Sequence, residues 1–312
     1  MGAWLVLIGA VLCFSGNLNH GLGLALIGLI AYLTNEELCA NAVYDLFYTQ
    51  NRRVEESAMK NTKIEWCDHT VNFWWGCTEV SEACQNCYAR AIAKRFKVDC
   101  WGDKPRHFRI EKATEEVLKL NASAKRRHVV EMVSVNSMSD FFDGNVSDGI
   151  RLSLWWLFPE CENLRFMILT KRAAILASHV KDLGDDIPPN VHFGITAENQ
   201  ARLDERMFAL KHLDRKVFLS CEPLLGAIDI SKYAEKIDWI IVGGEKAPIL
   251  KCRSLDSRHA NNLLRQAQEH NIPYFFKSTG KRHNFYDLNC KSVSEPMATR
   301  EYPAWHSKGG AR

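Results

Sequence analysis

No charged residue precedes Glu36, and no apolar run reaches the roughly 20 residues that a membrane-spanning helix requires. The two longest candidates, residues 3–14 and 22–33, are separated by Gly16-Asn17-Leu18-Asn19-His20. A secretory leader is not expected either, because no basic segment precedes the first run and no small-residue cleavage site comes after it. Also missing is a Gly-x-Gly-x-x-Gly turn after an early strand, which argues against a dinucleotide-binding open sheet. The net charge of +3 gives no overall pull toward polyanions, and the 25% charged and 46% hydrophobic fractions are those of an ordinary globular chain. At 312 residues such a chain can bury a full core.

Residues 1–58 differ in composition from the rest of the chain. The two apolar runs leave open a tight helical hairpin in a thin bilayer or an interfacial segment, and residues 36–56 read as an amphipathic helix. Met59-Lys60-Asn61-Thr62 resembles a natural start, so the preferred reading is an apolar helical extension, fused or read through from upstream. A true membrane anchor, with membrane contact through 1–58, is the alternative. The expected organisation is therefore 1–58 extension, 59–285 folded domain and 286–312 tail.

Cysteine is abundant: eleven residues, scattered rather than arranged as a compact disulfide framework. With no secretory signal expected, a reduced, cytoplasmic setting and metal binding outrank bridging. Cys77, Cys84 and Cys87 are spaced C-x6-C-x2-C just ahead of a helix-favouring run at 89–96. Three thiolates leave one tetrahedral position empty. A structural zinc site normally closes with a fourth ligand, for which Cys67, His69 or Cys100 would serve, whereas a [4Fe–4S] cluster held by three cysteines keeps one iron open. In either case the three sulfurs are expected to converge; the remaining alternative is three reduced thiols that hold no metal.

From Ile64 onward, short β-branched or apolar runs (129–135, 165–169, 191–195, 216–219, 239–242, 274–276) alternate with helical patterns (114–123, 150–158, 172–181, 199–212, 256–270). This alternation predicts βαβ units and a parallel sheet. The fold class is accordingly α/β, a full or partial (β/α) TIM-like barrel. Polar groups recur just after the strands: Ser137 and Asp140, Lys171, Glu198, Glu222, Gly243-Gly244-Glu245, and Lys277. Parallel strands bring their C-terminal ends to one face, so these residues are expected to share a pocket with the cysteine loop at its rim and with Lys171 or Lys277 paired to Glu222 or Glu245.

Residues 90–128 carry twelve Lys or Arg against five acidic residues, interleaved with Trp101, His107 and Phe108. Basic residues with aromatics suit a nucleic acid, although a solvated helix face with a basic loop accounts for them as well. Nothing in the sequence decides the oligomeric state.

Several segments, in order, resemble the phage Gp37/Gp68 proteins, the DUF5131 family. They are Thr62-Lys63-Ile64-Glu65-Trp66, Gly76-Cys77 through Cys84-Gln85-Asn86-Cys87-Tyr88-Ala89, Val135-Asn136-Ser137-Met138-Ser139-Asp140 and Ile168-Leu169-Thr170-Lys171-Arg172. Glu198-Asn199-Gln200, Leu219-Ser220-Cys221-Glu222-Pro223-Leu224-Leu225-Gly226, Val242-Gly243-Gly244-Glu245 and Phe275-Phe276-Lys277 complete the series, which spans about 60–281. The three-cysteine motif and barrel pattern are in turn similar to those of radical S-adenosylmethionine (SAM) enzymes. There the first cysteine gap is three residues and the Gly-Gly-Glu segment comes after the second strand, not about the sixth. The family's usual residue at position 67 is Thr, so Cys67 adds a possible zinc ligand.

What the resemblance implies is a cluster on Cys77, Cys84 and Cys87 and SAM bound at the strand ends. Glu222 or Glu245 would receive its ammonium, Lys171 or Arg172 its carboxylate, and Ser137 and Asp140 its ribose. Glu198, Gly243, Gly244 and Lys277 complete the cofactor-binding candidates, and the substrate would be a nucleic acid or nucleotide. Two alternatives stand beside this reading. One is a zinc-stabilised nucleic-acid-binding module. The other is a divalent-metal hydrolase or nuclease using Asp140, Glu198, Glu222 and Glu245.

Overall fold

A computed structural model describes residues 62, 64–102, 108–109, 112–247, 251–280, 283–284 and 298–306. The chain divides into two units, Met1–Ser57 and Ala58–Arg312. The extension expected over 1–58 lies outside the described residues, as do 286–297 and 307–312 of the expected tail. Among the described residues, no helix is long and apolar enough to cross a membrane.

Seven parallel strands form one sheet: β1 (His69–Val71), β2 (Glu131–Val135), β3 (Leu164–Thr170), β4 (Val191–Thr196), β5 (Val217–Cys221), β6 (Ile237–Gly243) and β7 (Tyr274–Ser278). Their spatial order is their order in the chain, and β1 and β7 do not pair. The sheet therefore curls in one direction without closing, which is the partial form of the expected barrel. Helices α1 (Tyr88–Arg95) and α2 (Ala113–Arg126) fall between β1 and β2, α3 (Asp148–Leu157) comes after β2, α4 (Ala173–Leu183) after β3, and α5 (Gln200–Ala209) after β4. A 3₁₀ segment, Ser231–Lys236, replaces a helix between β5 and β6, and α6 (Ser257–Glu269) precedes β7.

The local chemistry is consistent with these boundaries. Every residue of β2 and β5 is buried, as expected for parallel strands covered on both faces. Asn199 caps α5 by accepting from the Arg202 amide at 3.1 Å, and Asp256 caps α6 through the Arg258 amide at 2.9 Å. Inside the curl, Met132, Met167, Phe218, Trp239, Ile241 and Phe275 pack with Trp66 into one apolar cluster. Burial of apolar side chains such as these is the dominant favourable term in folding.

What the sequence suggests as a tail is built into the domain. The Phe276 amide donates to Thr299 O at 2.9 Å and the Glu301 amide to Tyr274 O at 2.8 Å, so residues 299–301 run antiparallel along the free edge of β7. That cover removes an exposed ladder of backbone groups. Tyr302 and Trp305 then pack on the apolar cluster at the N-terminal ends of the strands. The Trp305 ring stacks on His192 with centroids 4.0 Å apart, and its indole N–H donates to Asp238 at 3.1 Å.

His192 is held down to about 4 by burial and by the neighbouring Arg165 and Arg215. Below its ordinary value near 6.5 the unfolded chain binds a proton that the native chain refuses. The stability linked to His192 is thus complete above that pH and is lost as the pH falls toward 4, by at most about 1.4 kcal/mol per pH unit. Urea titrations at pH 7 and pH 5 are expected to show a smaller acid shift for His192→Gln than for the unaltered protein. Trp305→Ala is expected to cost about 2 kcal/mol at neutral pH, since it opens the floor of the core.

Candidate functional site

The alternation of side chains along each strand turns the inner face from apolar to polar. Two residues beyond Met132, Phe218 and Phe275 stand Ser134, Ser220 and Lys277, and together with Thr196 at the end of β4 they line a cavity of about 180 Å³ at the C-terminal ends of the strands. Such a position is where parallel α/β folds gather their functional groups.

The cysteine loop forms part of its wall. Gly76 has φ +114°, and a side chain there would meet Cys100 O at 2.6 Å, so the chain enters the loop through a position that needs glycine. The Cys77 amide donates to Cys100 O at 3.3 Å, the turn Glu82–Cys84 comes next, and Cys87 immediately precedes α1. Cys77, Cys84 and Cys87 are all half-buried and all line the cavity.

Side chains distant in sequence hold this segment in place. Arg202 pairs with Glu82 at 2.9 Å, and Arg253 donates to Glu82 O at 3.0 Å. Asn86, between the second and third cysteines, donates to Glu245 at 3.1 Å and to Lys251 O at 2.8 Å.

Arg172 is the buried hub. It pairs with Asp140 at 3.0 Å and Asp143 at 2.9 Å, donates to Thr78 O at 2.9 Å, and reaches the Cys77 sulfur at 3.5 Å. Burial would raise the Asp143 pKa, but bonds from the Asn145 and Thr78 amides and the Arg172 charge outweigh it and hold the carboxyl near 2. The Cys77 thiol is pushed up to about 12 by burial, with Asp140 adding to the effect and Arg172 opposing it. It is therefore a neutral thiol that must lose its proton when a metal takes it.

Six of the strand-end residues expected to share a pocket, Ser137, Asp140, Lys171, Glu222, Glu245 and Lys277, line this same cavity. The expected ion pair is present, with Lys277 Nζ at 2.8 and 2.5 Å from the two Glu222 oxygens. Glu198 is not at the cavity wall. It is fully buried against Arg206 at 2.6 Å, whose bonds outweigh the upward push of burial and keep its pKa low. Strand β4 ends at Thr196, so the alternation that would have turned residue 198 inward has already stopped.

Gly243 and Gly244 serve packing. A side chain on Gly244 would lie 2.1 Å from Thr279 O, and one on Gly243 would press on Glu222 at 3.3 Å. Asp140 has its four acceptor positions filled by the amides of Phe142 and Lys171, the Thr170 hydroxyl and Arg172, so it braces the wall and has none left for a ribose. Glu245 is held by Arg253 and Asn86, which outweigh the effect of burial and keep its pKa low.

The residues that would close a zinc site do not line the cavity. The Cys67 thiol, pushed up to about 12 by burial, donates to His69 O at 3.1 Å, and His69 pairs with Glu131 at 3.0 Å. Cys100 is buried. Among the described residues, no three His, Cys, Asp or Glu side chains form a group arranged to hold a metal ion, so the expected convergence of the sulfurs is absent. A reason is at hand, since the neutral Cys77 thiol donates to Thr78 O at 3.2 Å and Cys84 lies 4.0 Å from the Ser81 hydroxyl. The donor set is still of the type an iron–sulfur cluster takes: three cysteines from one loop line a shared cavity, and among the described residues its lining includes no fourth cysteine and no histidine.

Within the basic segment, Arg90 is paired to Glu79, Lys119 to Glu115 and Arg127 to Glu131, which neutralises part of its charge. Trp101 lines the cavity. His107 lies outside the described residues.

The model of the family described as "Protein of unknown function (DUF5131)" matches residues 61–304. The chain belongs to that family. The match runs past Arg282 and so takes in the DUF5131 segment that covers β7 and reaches the floor of the core. No curated protein and no solved structure matches the chain.

Sequence reasoning passed over Thr78, Asn86, Asp143, Lys246 and Arg253. Thr78 and Asn86 had a legible signal, their place between cysteines of the motif. For Glu198, Glu198→Gln is expected to lower stability by about 3 kcal/mol, because a buried Arg206 is left without its counter-charge. The double variant Glu198→Gln/Arg206→Met is expected to recover most of that loss in urea denaturation.

Proposed function

We propose that this protein is an iron–sulfur, SAM-dependent radical enzyme acting on a nucleic acid or nucleotide. One observation carries the reading: three cysteines of a single loop line the same cavity as the polar strand-end residues, and among the described residues no fourth cysteine and no histidine lines it. When bound, a [4Fe–4S] cluster with one open iron supplies one-electron chemistry to SAM. The chain's own residues hold and orient. Cys77, Cys84 and Cys87 are the ligands, and Arg172 donates toward the Cys77 sulfur, a contact of the kind that tunes a cluster.

Glu222 spends its two oxygens on a single Lys277 ammonium and keeps lone pairs for a second one, that of SAM. Lys171, half-buried on the cavity wall, meets the SAM carboxylate, and the half-exposed Ser137 hydroxyl meets the ribose. The rings of Tyr88 and Trp101 on the same wall suit a stacked base. A hydrolase built on the carboxylates is less well supported, since Asp140, Glu198, Glu222 and Glu245 are each neutralised by an Arg or Lys.

Anaerobic reconstitution with iron and sulfide tests the reading. Brown protein is expected, and Cys77→Ala, Cys84→Ala and Cys87→Ala should each lose most of the iron and the visible absorbance, while Cys161→Ala keeps both. Full iron content in all three single variants overturns the assignment, and colourless protein with stoichiometric zinc transfers it to the zinc-binding alternative. In calorimetry, Glu222→Gln and Lys171→Met are each expected to weaken SAM about tenfold, or about 1.4 kcal/mol.

A further inference from the structure

The carboxylates of the cavity wall are all matched by the protein itself: Glu79 by Arg90, Asp140 by Arg172, Glu222 by Lys277 and Glu245 by Arg253. Lys246 is not. It comes directly after Glu245, is half-buried and lines the cavity, yet among the described residues no carboxylate lies within ion-pairing distance and no acceptor takes its protons. Burial first, and then the like charge of Lys277, lower the Lys246 pKa, with the weaker effects of the Glu222 and Glu65 carboxylates opposing them. Lys277 already has Glu222, so Lys246 is the half-buried cation of this pair without a bonded counter-charge, a state that an arriving anion relieves. The fold retains this arrangement in the wall of its candidate site, where the missing counter-charge has room to enter.

Two aromatic side chains set the kind of anion. Tyr88 is 41% exposed although it lines the cavity, and its hydroxyl is anchored to Ser137 O at 2.9 Å, which fixes the ring. Trp101 is half-buried on the same lining. An aromatic lining and an unmatched ammonium in the same cavity are the two elements of recognition for a base carrying a phosphate. A lysine suits that anion as a point charge, without the fork geometry that a carboxylate would reward in an arginine.

We propose that Lys246 is a phosphate subsite: it binds the phosphoryl or phosphodiester group of the substrate nucleotide, whose base lies against Tyr88 or Trp101. The proposal rests on the reading of this cavity as the substrate site. It does not need the cluster to be measured.

The test is a set of calorimetric titrations of the full-length protein, both iron-loaded and unloaded, with thymidine and cytidine, their 5′-monophosphates, and a short single-stranded oligothymidylate. A phosphate-bearing ligand is expected to bind at least tenfold more tightly than its nucleoside. Lys246→Gln is expected to erase that preference while leaving nucleoside affinity, iron content and SAM affinity unchanged, and Lys246→Arg to restore most of it. A Lys246-dependent preference for the monophosphates identifies a mononucleotide substrate, and one confined to the oligothymidylate identifies a strand. Equal affinity for nucleoside and phosphate-bearing ligands, or a preference that survives Lys246→Gln, overturns the subsite. So does a Lys246→Gln variant that loses SAM in place of phosphate. Failure of the unaltered protein to take up iron sinks the cluster reading alone, because the phosphate preference is still read from the unloaded protein.

Discussion

The guanidinium of Arg172 is the contact on which the rest of the site depends. It stands just after β3, is matched by two carboxylates from the segment after β2, and reaches the loop that carries Cys77. A single buried cation thus fixes two strand ends and the cysteine loop relative to one another. Its charge is tolerable because two anions and a carbonyl surround it, and those anions are tolerable because of it and of the amides that converge on them. Removal of Arg172 would leave two uncompensated carboxylates at the centre of the group, so the network depends on that one cation.

The second organising constraint is the polarity change along the inner face of the sheet. Strand geometry sends every second residue inward, and the sequence places Met, Phe and Trp at the lower inward positions and Ser, Thr and Lys at the upper ones. The apolar cluster stabilises the curl, and the polar rim leaves a space that the side chains do not fill. Floor and cavity both arise from the same alternation, read at two heights.

Much of this was legible in the sequence. Six strand runs and five helices fall within a few residues of the observed elements, because long alternating βα patterns have strong periodicity. The first strand, only three residues at His69–Val71, has too short a pattern to be read. Glu222 and Lys277 fall at the cavity and pair as strand parity requires, whereas Glu198 lies past the end of β4, where parity no longer applies. The place of residues 299–305 was not legible either. Their pairing partner is β7, more than twenty residues earlier, and neither composition nor period announces such a contact. Lys246 was passed over for a related reason: what sets it apart is the absence of a partner, which only three-dimensional neighbours reveal.

The cover on β7 has a consequence for how the protein is made. Strands β1 to β7 emerge from the ribosome in their spatial order, so the sheet can extend by one neighbour at a time as synthesis proceeds. Its last edge, however, stays bare until residues 299–301 have been translated, and the indole that stacks on His192 arrives later still. Vectorial synthesis therefore delivers the sheet first and its closure last. The interval between the two is when the nascent chain has an unpaired edge open to other strands.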